Sequence, residues 1–110
     1  MISYDDFCRV ELRAGTIIKA EPFARAKKPA YKIWVDFGVE LGIKQTSAQI
    51  TKNYTLEDLP GRMVIGCVNL EPRNIAGFIS EFLLTGFADE NGDIRLASVD
   101  GKVPKGHKLH

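Results

Sequence analysis

Tyr31-Lys-Ile-Trp-Val-Asp-Phe37 decides the fold. Tyr31, Ile33, Val35 and Phe37 alternate with Lys32, Trp34 and Asp36. A period of two puts the first set on one face and the second on the other, which predicts a strand with one buried side. Gly38 ends it. Upstream, Val10, Leu12, Ala14, Thr16 and Ile18 repeat the alternation, with Gly15 as an expected bend. Downstream, residues 62–70 are a nearly continuous apolar run rich in β-branched side chains, in which Gly66 predicts a bend or a close approach. Residues 78–87 form a further run and 94–99 a shorter one, with Asn91-Gly92 between them as a type I′ hairpin signal. Thr55-Leu-Glu-Asp58 reads as a capped helix start that Pro60-Gly61 terminates within a turn or two.

Short, bent strands with one small helix before the fourth predict an all-β chain, a closed five-stranded β-barrel of the OB type. A β-sandwich is the second choice. At 110 residues the chain is expected to form one domain. An apolar fraction of 45% and a charged fraction of 26% match an ordinary folded protein. No apolar run approaches the ~20 residues of a membrane span. The acidic start, Met1-Ile-Ser-Tyr-Asp-Asp6, lacks the apolar segment of a secretory signal. Cys8 and Cys67 are too few for a disulfide framework, so a reduced, cytoplasmic protein is expected.

A net charge of +1 conceals an uneven distribution. Arg25, Lys27, Lys28 and Lys32 follow one another with no acid between Glu21 and Asp36. Lys44 and Lys52 are the only charges from Leu41 to Leu56, and Arg73 the only one between Glu71 and Glu81. Lys102, Lys105 and Lys108 close the chain. Such windows can present a basic face to phosphates, or disperse over an ordinary solvated surface once the chain folds.

Further stretches carry a pattern: Lys28-Pro-Ala-Tyr-Lys32 leading into Asp36-Phe-Gly38, then Gly42-Ile-Lys-Gln-Thr-Ser-Ala-Gln-Ile50. Asn69-Leu-Glu-Pro-Arg-Asn-Ile-Ala-Gly-Phe78, Ser80-Glu-Phe-Leu-Leu-Thr-Gly86 and Val103-Pro-Lys-Gly-His-Lys-Leu109 complete it. Over residues 7–110 the chain resembles stand-alone members of the tRNA-binding domain family. That family also includes the C-terminal domain of methionyl-tRNA synthetases and the endothelial-monocyte-activating-polypeptide domain. Leu70-Glu71 stands where the family has Phe-Pro, which sets a carboxylate beside the expected RNA surface. The resemblance implies structure-selective, sequence-tolerant tRNA binding by an OB-fold homodimer whose termini wrap across the interface. It also implies a core over residues 8–87, and a hairpin with a C-terminal dimerisation extension over 88–110. Stand-alone members are also described as export-related chaperones that hold unfolded preproteins for the secretion machinery. The family carries no catalytic chemistry and no cofactor.

On this resemblance Lys27, Lys28, Lys44, Ser47, Gln49, Asn69, Arg73 and Ser80 are the candidate tRNA contacts. Arg25, Lys27, Lys28 and Lys32 border the first loop, which in OB-folds flanks the nucleic-acid groove. Lys44, Ser47 and Gln49 supply donors suited to phosphate and 2′-hydroxyl groups. Ser47 also suits a helix cap. Arg73 offers a planar fork to phosphate, whereas Asn69 serves equally to tie its own loop. Ser80 matches the family pattern. Trp34, on the outer face, is free to stack on a base, cover a peptide or pack beneath a second subunit, and packing is the expected role because Trp is enriched in interface cores. Cys8, Cys67, His107 and His110 match no zinc spacing, and no nucleophile–base set is present, so neither a metal nor an enzyme activity is expected.

Overall fold

The computed structural model describes all of residues 1–110. A short helix, α1 (Tyr4–Cys8), precedes the long strand β1 (Leu12–Pro22). Then come β2 (Tyr31–Asp36), a one-turn helix α2 (Gly38–Leu41) and β3 (Ile43–Ala48). A single 3-10 turn at Leu56–Asp58 leads to β4 (Met63–Cys67). The hairpin β5 (Arg73–Ile75) and β6 (Phe78–Ser80), the strand β7 (Leu83–Leu84), and the hairpin β8 (Gly86–Ala88) and β9 (Ile94–Leu96) follow.

Five antiparallel strands in the order β3-β2-β1-β4-β7 form a nearly closed barrel, as an OB-type fold requires. Closure runs from β3 to the chain just before β7. The Glu81 amide donates to the Gln45 carbonyl at 2.8 Å, and the Thr46 hydroxyl donates to the Phe82 carbonyl at 2.7 Å. The core holds Ile17, Ile33, Val35, Phe37, Ile50, Tyr54, Leu59, Val64 and Phe82, so the inner face read from residues 31–37 is the barrel interior. Phe37 meets Phe82 edge-on, with centroids 5.0 Å apart.

Several local expectations are corrected. Gly15 sits within the ladder opposite Val64 and, like Gly66, is a point of close approach. A Cβ there would lie 2.6 Å from Val35 Cγ1, and one at Gly66 2.8 Å from the Phe37 ring, so both glycines make room for the core. The irregularity in β1 falls at Ile18, where its register on β2 slips between Ile17 and Lys19. Such bulges give a small barrel its extra twist. Thr55 caps nothing with its side chain, and the expected helix is one 3-10 turn. The residue 78–87 run is divided among three strands. The β8–β9 hairpin forms, but Asn91 does not take positive φ. Asp89 Oδ1 accepts from the amides of Asn91 and Asp93, and the Asp89 amide donates to the Asp93 carbonyl, so a three-residue loop with positive φ only at Gly92 replaces the two-residue turn. The turn with both central residues at positive φ is instead Ala76-Gly77, at 50° and 86°, in the β5–β6 hairpin.

The termini meet on one side. Residues 106–109 run along the first half of β1: the Ala14 amide donates to the His107 carbonyl, Gly106 to Ala14, and Leu109 to Leu12. Two ion pairs anchor this tail, Lys105 to Asp36 at 3.0 Å and Lys108 to Glu11 at 2.9 Å. Lys108 also donates to the Cys8 carbonyl at the end of α1.

Candidate nucleic-acid interface

The β1–β2 loop, the end of β3 and the β5–β6 hairpin surround a groove of about 1140 Å³. Arg25, Lys27 and Lys28 enter it from the loop, Ser47 from β3, Gln49 from the chain just after it, and Arg73 from the hairpin. Five of the eight candidate contacts are thereby brought together. The three loop cations and Arg73 are exposed, and none is ion-paired. Unpaired cations on the walls of one concave surface focus a positive field into it. The Ser47 hydroxyl and the Gln49 amide make no hydrogen bond within the protein, so both remain available to a ligand. Glu71 does not line the groove.

The other three candidates lie elsewhere. Ser80 is buried, with its hydroxyl 2.9 Å from that of Thr46 inside the barrel seam, and has no surface to offer. Asn69 is fully engaged: Oδ1 accepts from the Glu11 amide at 3.0 Å and Nδ2 donates to the Arg9 carbonyl at 2.8 Å. It clamps the chain after α1 to the end of β4. Lys44 pairs with Val35, which points inward, while Ser47 pairs with Lys32 on the outer face. Lys44 therefore lies near the start of β3 and on the opposite face from Ser47, away from the strand end that borders the groove, and does not line it. Ser47 lies within β3 and caps no helix.

Trp34 packs, but against its own chain. Its indole meets the Phe78 ring edge-on at 6.1 Å, and the Lys19 ammonium lies 4.7 Å from its centroid. Phe78 in turn contacts Phe23 at 5.4 Å, and the Lys32 ammonium sits 5.1 Å from both of those rings. This aromatic cluster fixes the β5–β6 hairpin to the barrel and hence places Arg73. Gln45 completes the attachment, donating from Nε2 to the Ile79 carbonyl and from its amide to Glu81 Oε1. Phe23 escapes the sequence reading because it falls outside every apolar run, and Phe78, though it opens the run at 78–87, shows no alternation there that would give its face. The one available signal was Phe78 next to the turn residue Gly77.

Carboxylates with depressed pKa lie away from the groove. Hydrogen bonds from Arg13 and Lys108 hold Glu11 below its usual range. The Gly38 amide and then Lys105 do the same for Asp36. Asn53 and the amides of the β8–β9 turn hold down Asp89.

A family model described as a putative tRNA binding domain matches residues 12–108. Methionine–tRNA ligase 1 of Bacillus anthracis is 40% identical over 108 residues, which are 98% of this chain but 16% of the ligase. The chain thus spans a small part of such relatives. Two solved structures superpose on all of it. Chaperone CsaA of Bacillus anthracis strain Ames has a TM-score of 0.93 and 44% identity, with 99% of that chain covered. The CsaA chaperone protein of Picrophilus torridus has a TM-score of 0.92 and 42% identity, with 100% covered.

Proposed function

The chain belongs to the tRNA-binding domain family, and from that premise we propose that it binds tRNA through the basic groove, as a non-catalytic protein of CsaA type. The observation that carries the reading is the convergence of Arg25, Lys27, Lys28 and Arg73, without acidic partners, on a groove edged by the unengaged Ser47 and Gln49. Each cation neutralises a phosphate, and the two neutral side chains bond ribose hydroxyls or base edges. Contacts weighted towards the backbone position an RNA without reading its sequence, so binding is structure-selective and sequence-tolerant. Lys44 adds only longer-range charge, and Asn69 and Ser80 hold the scaffold. The ligation performed by the much longer methionine–tRNA ligases is not carried over. A cytoplasmic location is part of this proposal.

The alternative is an export-related chaperone that holds unfolded preproteins for the secretion machinery. The CsaA name of the structural neighbours favours it. Titration of tRNA across a salt series, repeated with an unfolded preprotein as competitor, separates the two. Phosphate binding falls linearly in log–log form with salt, whereas apolar holding is nearly salt-independent. A salt-insensitive affinity for tRNA contradicts the proposal.

We further propose a homodimer built on the terminal segments, with residues 88–110 as hairpin and dimerisation extension. Exposed Ile2, Tyr4, Val10, Val103 and Leu109, all on α1, its flanks and the docked tail, support it. Light scattering at micromolar concentration is expected to give twice the 12.2 kDa chain mass, and a monomer mass refutes the dimer.

A further inference from the structure

The groove is not basic throughout. Beneath the exposed cations it is lined by Ala30, Ala48, Ile50, Ile75, Leu84 and Ile94, each buried or half-buried. Leu83, just over half exposed, stands at its edge.

A double helix has no group to lay on such a floor. Its outer surface is phosphate and ribose, and its base faces are stacked out of reach. Docked on the cations alone it leaves the aliphatic side chains wet. An unpaired nucleotide presents both chemistries at the right places, an anionic phosphate for the rim and a flat apolar base face for the floor. The groove volume of about 1140 Å³ exceeds the requirement of one such unit.

We infer that the groove takes unpaired nucleotides of RNA, with the base seated on the Ala48–Ile75–Leu84 floor and the phosphate on Arg25, Lys27, Lys28 and Arg73. This rests on the RNA-binding reading above and names the part of an RNA that the site selects. Ser47 and Gln49, at the floor's edge with free side chains, reach the hydrogen-bonding edge of the base. Two adaptable polar groups are too few to choose among bases, so tolerance of sequence follows.

The test uses a fluorescent hexauridylate, an RNA duplex with the same number of phosphates, and unfractionated tRNA, each titrated against the full chain by anisotropy at one salt concentration. The duplex has the higher charge density, so a rim acting alone binds it at least as tightly. The inference expects hexauridylate to bind roughly tenfold tighter than the duplex, the scale of one apolar contact made or lost. Leu83→Ser and Ile75→Ser are each expected to lower hexauridylate affinity about three- to tenfold, with duplex affinity and the salt slope unchanged. Leu83 is exposed and Ile75 lies outside the core, so folding of both is checked by thermal melting and either one suffices. Equal or tighter duplex binding overturns the inference, as does parallel loss of both RNAs in the folded variants. Displacement of hexauridylate by an unfolded apolar polypeptide at a salt-independent affinity also overturns it, since the floor then belongs to polypeptide. If tRNA binds while hexauridylate shows no preference, only this inference falls. If tRNA itself does not bind, the functional reading falls with it.

Discussion

Asn69 and Arg73 are four residues apart and do different work. Both polar atoms of the Asn69 amide bond backbone groups of the chain after α1, whereas Arg73 meets no carboxylate at all. Asn69→Ala strands the Glu11 amide and the Arg9 carbonyl. It is expected to lower stability by about 1 kcal/mol in urea denaturation, because both groups lie where water substitutes in part. Affinity of the folded variant for tRNA is expected to stay unchanged. At the hairpin tip, Ala76 is the one non-glycine residue with positive φ. That conformation costs an alanine of order 1 kcal/mol, and asparagine tolerates it better. Ala76→Asn is therefore expected to raise the urea midpoint, and a fall in it would contradict the turn geometry. From residue types alone these roles were not separable. An exposed Asn that bonds its own loop and one that bonds RNA have the same sequence appearance, and the inward turn of Ser80 depends on Thr46, 34 residues away.

At the scale of elements, β2 was legible because its inner positions are all aliphatic or aromatic, and its register then fixed Lys32 and Trp34 outside. The strand β3 was hidden. Its one fully buried position is Thr46, whose hydroxyl is satisfied by Ser80 and Phe82, so the apolar alternation that announces a strand is missing. The tail carries no periodicity either. It docks through backbone bonds to β1 and the pairs Lys105–Asp36 and Lys108–Glu11. Both carboxylates are held below their usual pKa in the folded state. Their contribution is thus full above the ordinary carboxylate range near pH ~4 and is lost as pH falls through the depressed values. Amide hydrogen exchange at Gly106 and Leu109 is expected to show protection falling on acidification below about pH 4, after correction for the intrinsic exchange rate. In Glu11→Gln the loss is expected to be smaller, because part of the titrating contribution has gone. Gly106, at φ 90° with space for no Cβ beside the Phe37 carbonyl, makes that close approach possible.

For the whole molecule, the barrel brings together three stretches distant in sequence: the loop at 25–28, the end of β3 and the hairpin at 73–77. The sequence windows of unopposed charge contained all three, because a segment without acids cannot neutralise itself whatever the fold. What the windows did not carry is direction. Lys44 lies in an acid-poor window, yet its register on Val35 turns it away from Ser47. The aromatic cluster of Phe23, Trp34 and Phe78 that holds the hairpin in place was likewise out of reach, since it forms only when the fold brings Phe78 of β6 to Trp34 of β2.

The central claim is that one groove, with Arg73 on its hairpin wall, engages the tRNA backbone. The slope of log affinity against log salt tests it most directly, measured for wild type and for Arg73→Ala shown to be folded by its thermal melt. Loss of one phosphate contact is expected to weaken binding to different tRNAs alike and to make the slope shallower by about 0.7 to 0.9. Unchanged affinity and unchanged slope in the folded variant would contradict the account.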